Sequence, residues 1–334
     1  MRSFSTYHFL RLPLPELKLI SRIRDQRTRL RVQGPRPSIV KGIGDDCAVL
    51  RVPAGREMLV TTDFSLEGVH FRREWHPPES VGHRCLTRGL SDIAAMGGEP
   101  LAAFLSLALP PKLPQKWVDK FLSGFLRLAG QFNVPLAGGD TAESREGILA
   151  DIVLIGSVPK GKAILRSGAQ PGHRIYVTGE LGGAAATLDW LYRAPQRRLK
   201  PSFFPSHFFP MPRIDVGRIL RERKLATAMI DVSDGLSTDL SHICEESEVG
   251  AEVWQDTLPR ATIAGKPVDL RFALHGGEAY ELLFTAKPRI KVPARVAGVA
   301  ITCIGEIVKR KKLTLLLHDG FSSALKPHGW QHFQ

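Results

Sequence analysis

The stretch Thr227-Ala-Met-Ile-Asp-Val-Ser-Asp-Gly-Leu-Ser-Thr-Asp-Leu-Ser-His-Ile-Cys-Glu-Glu246 decides the class of fold. Thr227–Ile230 is an apolar run of strand length, and Asp231 to Gly235 is a cluster of turn formers. From Gly235 to Glu246 the apolar residues Leu236, Leu240 and Ile243 fall on one face of a helix. A strand that ends in carboxylates and turns straight into a helix belongs to a mixed protein, α/β or α+β.

The same alternation runs outward in both directions. Strand-length apolar runs recur at Glu57–Thr61, Leu101–Leu109, Ile148–Val153, Arg174–Thr178, Glu281–Thr285 and Ala300–Ile304. Between them, Pro114–Gly130 sets Trp117, Phe121, Leu122, Phe125, Leu128 and Ala129 on one helical face. No repeat of fixed period is present. The best boundary lies near Gly156–Gly168, where a strand run gives way to a polar segment, so two domains are expected, 1–156 and 157–334. Tyr192–Arg213, with its prolines and Phe203, Phe204, Phe208 and Phe209, reads as a long loop with aromatic anchors.

Composition narrows the class. The 334 residues include 46 Lys+Arg and 33 Asp+Glu, a formal net charge of +13, with 43% hydrophobic residues. The longest apolar stretch, Leu101–Leu109, is about half of what a membrane span needs, so no membrane span is expected. Arg22, Arg24, Arg27, Arg29 and Arg31 suit a transit peptide, but Leu17, Ile20 and Ile23 read more simply as one face of a first helix. The four cysteines, Cys47, Cys85, Cys244 and Cys303, are far apart and match neither a zinc site nor a disulfide framework, which makes a reducing cytoplasm the default. The basic excess is dispersed, the pattern of a solvated surface more than of a nucleic-acid face.

The common nucleotide and hydrolase motifs are missing: no Walker-type Gly-rich loop, no Rossmann fingerprint, no nucleophile elbow and no paired-histidine zinc helix. What stands out is a set of aspartates beside glycines or at strand ends: Asp45 and Asp46, Asp63, Asp140 after Gly138-Gly139, and Asp231 and Asp234. Taken singly, each has an ordinary reading as a turn former, and Asp234 suits the N-cap of the next helix. Asp92 is different. It lies between Leu90 and Ile93-Ala94-Ala95 on a helical segment, Val81–Met96, that is apolar nearly all round, where an ionised carboxylate is costly unless paired or metal-bound. If these carboxylates converge they need cations, since two bare charges about 4 Å apart repel by roughly 4 kcal/mol at an effective dielectric of 20. Oxygen ligands without His or Cys select a hard ion, and Mg²⁺ with phosphate oxygens is the usual case.

Seven segments in order, Gly42–Leu50, Thr61–Phe71, Leu90–Gly97, Gly138–Thr141, Leu165–Ala169, Ile230–Leu236 and Gly276–Leu282, resemble the bacterial thiamine-monophosphate kinase family. That family is part of the aminoimidazole-ribonucleotide synthetase-like (PurM-like) superfamily. The likeness runs from about Glu16 to Phe333. It implies ATP-dependent phosphorylation of thiamine monophosphate to thiamine diphosphate. It also implies a two-domain subunit: an N-terminal ATP- and metal-binding, dimerising domain whose sheet forms a barrel across a homodimer, and a C-terminal α/β sandwich that completes the site.

Carried over by position, Asp46, Thr61, Thr62, Asp63, Asp92, Asp140, Asp231 and Asp234 are the implied ligands of several Mg²⁺ ions, with Asp63, Asp92, Asp140 and Asp231 central to catalysis. Gly139, Asp140, Arg166 and Ser233 are the implied ATP contacts. His70, Glu278 and Trp330 are the implied thiamine contacts; unaided, they read as a loop histidine, a surface turn and a packing anchor. The chain departs from the family pattern at Ala279, where Asp is common, at Ala142-Glu-Ser-Arg145, and at Phe64–Leu66. Two rivals remain open: another enzyme of the superfamily (a cyclo-ligase, selenophosphate synthetase or hydrogenase-maturation type), or a basic nucleic-acid-binding protein that has kept the fold without catalysis.

Overall fold

In the computed structural model, which describes residues 18, 22, 23, 25, 39–41, 49–196 and 198–330, the apolar runs of the sequence become strands. Along the first half the elements are β1 (Ile39–Lys41), β2 (Val49–Leu50), β3 (Arg56–Leu66), α1 (Pro78–Ala95), β4 (Glu99–Leu109), α2 (Gln115–Gln131), β5 (Leu136–Glu143) and β6 (Leu149–Pro159). The second half holds β7 (Arg174–Thr178), α3 (Gly183–Arg193), α4 (Pro205–Phe208), α5 (Ile214–Glu222), β8 (Ala228–Asp231), α6 (Leu236–Glu246) and β9 (Gly250–Trp254). The short pair β10 (Thr262–Ile263) and β11 (Lys266–Pro267) follows, then α7 (Leu270–His275). The chain ends with β12 (Leu282–Ala286), β13 (Arg295–Val296), β14 (Val299–Val308), β15 (Leu313–Leu316) and β16 (Ser322–Ala324).

The chain divides into two units that do not follow its halves. The described residues of 1–51, 62–86 and 101–154 form one unit, and those of 52–61, 87–100 and 155–334 the other. The first unit holds most of a four-stranded sheet of order β3-β6-β4-β5, with β4 and β5 parallel. In the same unit α2 buries Phe121, Leu122, Phe125 and Leu128, as its periodicity requires, and Trp117 stacks between Phe71 and Phe121. α1 and α2 cross with their backbones touching: a Cβ on Gly82 would lie 2.0 Å from the Phe121 carbonyl oxygen, and one on Gly124 would lie 1.9 Å from that of Glu79. Of the first helix expected near the N-terminus, Ile23 is helical and buried, and Arg22 makes a two-pronged ion pair with Asp119 at 2.6 and 2.7 Å; Leu17 and Ile20 lie outside the described residues.

The second unit is built on an eight-stranded sheet of order β16-β15-β9-β14-β7-β12-β8, with β13 paired to β14. All the described pairings in it are antiparallel except β15 with β9. α6 lays Leu236, Leu240 and Ile243 on the core that this sheet forms. The stretch expected to be a loop, Tyr192–Arg213, is irregular apart from the end of α3, a 3₁₀ turn at Pro201–Phe203 and the single turn of α4. Phe204 and Phe208 anchor it in the interior while Phe203 stays out in solvent. Among the described residues no helix is long and apolar enough to cross a membrane.

Candidate active site

Every residue of α1 from Ser80 to Ala95 is buried except Asp92, which is half-buried. The C-terminal half of this helix carries the polar side chains that matter. Ser91 is fully buried, and its hydroxyl donates to Oδ2 of Asp231 at 2.7 Å. Asp92 accepts a short hydrogen bond from the Thr61 hydroxyl at its Oδ2. Arg88, one turn earlier, donates from Nη2 to Oε1 of Glu278 at 2.7 Å. Three sequence-distant elements, β3, β8 and the turn before β12, therefore meet the same helix through its polar side chains.

Asp231 closes β8 and is 4% exposed. Burial raises its pKa to about 7, and the neighbouring Asp92 charge adds to the rise, against the opposing pull of the Ser91 hydroxyl and the Arg166 guanidinium. Two carboxylates so placed burden each other, which is the electrostatic condition a divalent cation relieves. The donors gathered here, Thr61, Ser91, Asp92 and Asp231, are all oxygens, the set a hard ion selects. They fit Mg²⁺.

The segment Asp231-Val-Ser-Asp-Gly235 is also a backbone hub. Glu278 N–H donates to the Ser233 carbonyl at 2.7 Å, and Tyr280 N–H donates to that of Val232 at 2.9 Å. Trp330 N–H donates to the Asp234 carbonyl at 3.0 Å, beside Gly329 N–H on the Thr238 hydroxyl at 3.0 Å. Both approaches need glycine: a Cβ on Gly277 would lie 2.6 Å from the Ser233 oxygen, and one on Gly329 would lie 2.3 Å from the Asp234 oxygen. Thus Ser233, Asp234, Glu278 and Trp330, expected from the sequence, come together, and Trp330 is half-exposed.

Asp234 is not the N-cap that its position suggested. Gly235 takes that place without a side-chain cap, and Asp239 reaches back from the first turn to accept the N–H groups of Asp234 and Gly235 at 3.2 and 3.0 Å. Asp239 is 1% exposed; burial, then the charges of Asp231 and Asp234, push its pKa up to about 8. Ligand atoms of Asp234, Asp239 and His242 lie within 4.8 Å of one another. Neither Asp239 nor Arg88 stood out in the sequence; the available signal was spacing, since Arg88 and Asp92 are four apart on one helix.

Most of the other expected residues lie in the first unit. Thr62 donates its hydroxyl to Asp151 at 2.9 Å, and Asp63 is half-buried on the same strand. Asp140 is exposed on β5, its Oδ1 accepting the Thr141 N–H at 2.8 Å. Gly139, at φ +151°, runs so close to β4 that a Cβ would lie 1.9 Å from the Leu105 oxygen. His70 accepts the Leu66 N–H at Nδ1 at 3.0 Å, so its neutral ring carries the proton on Nε2, and its carbonyl accepts from Arg84. Arg166 is exposed in the second unit. Asp46 lies outside the described residues.

Two family profiles match the chain: AIR synthase related protein, N-terminal domain, over residues 44–158, and the corresponding C-terminal domain over 170–318. The chain is 37% identical over 334 residues to the thiamine-monophosphate kinase of Salmonella typhimurium, covering 95% of this chain and 98% of that one. The crystal structure of the Stenotrophomonas maltophilia thiamine-monophosphate kinase superposes with a TM-score of 0.78 at 34% identity, covering 93% of this chain and 98% of that one. A further structure, AaThiL complexed with AMPPCP and TMP, gives 0.74 at 29% identity, over 95% and 97% of the two chains.

Proposed function

The chain belongs to the thiamine-monophosphate kinase family of AIR synthase-related proteins, and from that premise we propose that it phosphorylates thiamine monophosphate to thiamine diphosphate with ATP. An acceptor phosphate oxygen forms a bond to the γ-phosphorus of ATP, the bond from that phosphorus to the β,γ-bridging oxygen breaks, and ADP leaves. The second pKa of a phosphate monoester is about 6, so the acceptor is already mostly ionised at neutral pH and needs no general base. The barrier is the approach of one anion to another, and the residues must offset that repulsion and align the reactants.

The observation that carries this reading is the pairing of the half-buried Asp92 with the buried Asp231, braced by Thr61 and Ser91. Several Mg²⁺ ions, when bound, would neutralise the phosphate oxygens of both reactants. Thr61, Asp92, Asp231 and Asp234 in one unit, and Asp46, Thr62, Asp63 and Asp140 of the N-terminal part, are the proposed ligands. Gly139, Asp140, Arg166 and Ser233 bind ATP in this reading, Arg166 as a charged donor to phosphate oxygen. His70, Glu278 and Trp330 bind the thiamine moiety. Its thiazolium is a permanent cation, which a carboxylate and an indole face both attract, the latter by roughly 0.5–2 kcal/mol.

The matched profiles meet between residues 158 and 170, which supports dividing the labour between an N-terminal ATP- and metal-binding, dimerising part (1–156) and a C-terminal part (157–334). The free thiols Cys85 and Cys244, both buried, support a reducing cytoplasm. The test is direct: purified protein with ATP, Mg²⁺ and thiamine monophosphate should yield thiamine diphosphate and ADP in equal amounts on chromatography. ATP hydrolysis without thiamine diphosphate overturns the reading.

A further inference from the structure

The segment Gly276-Gly-Glu-Ala-Tyr-Glu281 carries two carboxylates, and the structure gives them different tasks. Glu281 is 5% exposed and is consumed by a two-pronged ion pair with Arg213 and by the Thr178 hydroxyl. Glu278 is half-buried, its side chain 23% exposed, and Ala279 beside it supplies no second acid. Its backbone sits at φ +63°, a conformation that costs a residue with a Cβ, and the bond to the Ser233 carbonyl fixes its main chain. A glutamate side chain still has three torsions to settle. Arg88 settles them: its side chain is 10% exposed, rooted in the buried helix α1, and its Nη2 holds Oε1 of Glu278 at 2.7 Å.

We infer that Arg88 is a positioning residue that acts through Glu278, fixing the carboxylate for the cationic thiamine moiety and so setting the affinity for that substrate and not for ATP. The inference rests on the proposed function and adds to it a residue outside the implied ligand set. A rigid donor rooted in a buried helix removes the ordering cost that a free glutamate would incur on each binding event. The guanidinium and the thiazolium are both cations, so they approach one carboxylate from different sides; Arg88 orients and the substrate is recognised.

The experiment is initial-rate kinetics on wild type, R88M, R88K, E278Q and R88M/E278Q, varying thiamine monophosphate and ATP separately. Losing a charge-assisted hydrogen bond at this position should raise the KM for thiamine monophosphate about tenfold in R88M and leave the KM for ATP within about twofold. R88K, which keeps the charge and one donor, should recover part of that loss. R88M in the E278Q background should add nothing further, because the residue acts through Glu278. An unchanged thiamine KM in R88M, equal rises in both KM values, or additive effects in the double variant overturn the inference while leaving the kinase reading intact. Should R88M not fold, R88K decides: a rise confined to the thiamine KM supports the inference and no rise overturns it. A wild-type protein that forms no thiamine diphosphate overturns both.

Discussion

Asp92, half-buried, and Asp239, buried, are both acids near Asp231, and they make different predictions. Asp92→Asn removes one like charge from beside Asp231, so turnover should fall by about a hundredfold or more if Asp92 is a metal ligand, while the folded protein keeps or gains stability. Near-normal activity at saturating Mg²⁺ would take Asp92 out of the metal set. Asp239 speaks through pH. Its folded pKa of about 8 lies above the ordinary unfolded value of about 3.9, so between those limits the folded state holds a proton that the unfolded state has lost. Stability therefore falls as pH rises through this window, by up to about 1.4 kcal/mol per pH unit for one group, and levels off above the folded pKa. Asp231, raised by burial as well, contributes with the same sign over an overlapping window. In chelator-treated protein, urea midpoints should fall as pH rises from about 5 to about 8 in wild type and fall less in Asp239→Asn; equal falls refute the assignment. At this scale the sequence was partly legible. Asp92 stood out because its neighbours are apolar, whereas Ser91 on Asp231 and Arg88 on Glu278 join residues 140 and 190 positions apart, and no local pattern encodes such partners.

At the scale of elements, legibility followed hydrophobicity. β7 is the run Arg174–Thr178 that the sequence marked, and α2 and α6 fall within a residue of their periodic patterns. β5 was missed because Leu136-Ala-Gly-Gly-Asp-Thr-Ala-Glu143 is written in turn formers. It is a strand because it pairs in parallel with β4, Ser106 opposite Asp140, and its glycines are there because Phe104 and the Leu105 carbonyl fill the places of their side chains. The same close approach governs the crossing of α1 and α2, where Gly82 and Gly124 let two backbones touch. Gly124→Ala should raise helix propensity yet destabilise the protein, by about 1–3 kcal/mol, because backbone atoms of the first turn of α1 stand where the methyl must go. Denaturant midpoints measure the outcome directly: a stabilised Gly124→Ala protein would mean that propensity, not the crossing, decides this site.

At the scale of the whole molecule, β3 poses a problem that the described residues leave unsolved. It is an edge of its sheet, and along it Met58, Val60, Thr62 and Phe64 point to solvent while Leu59 and Ser65, of opposite parity, point inward. The exposed members Met58, Val60 and Phe64 are 52%, 59% and 52% accessible, an apolar row on a strand that pairs on one side only among the described residues. Such a row invites association, and soluble proteins ordinarily blunt it with charge or cover it. No Lys or Arg interrupts β3 between Arg56 and Leu66. The cover that the family resemblance implies is the N-terminal sheet of a second copy, in the proposed homodimer. Two predictions separate cover from chance exposure. Light scattering on the purified protein at micromolar concentration should give the mass of two chains, and Val60→Lys, which sets a charge in the middle of the row, should give the mass of one. Because Val60 directly precedes Thr61 and Thr62, proposed ligands on the same strand, the monomeric variant should also lose activity, and raising protein concentration should restore part of it by mass action. A wild-type chain that is monomeric and fully active at nanomolar concentration would leave this row to some other partner and remove the dimer from the mechanism.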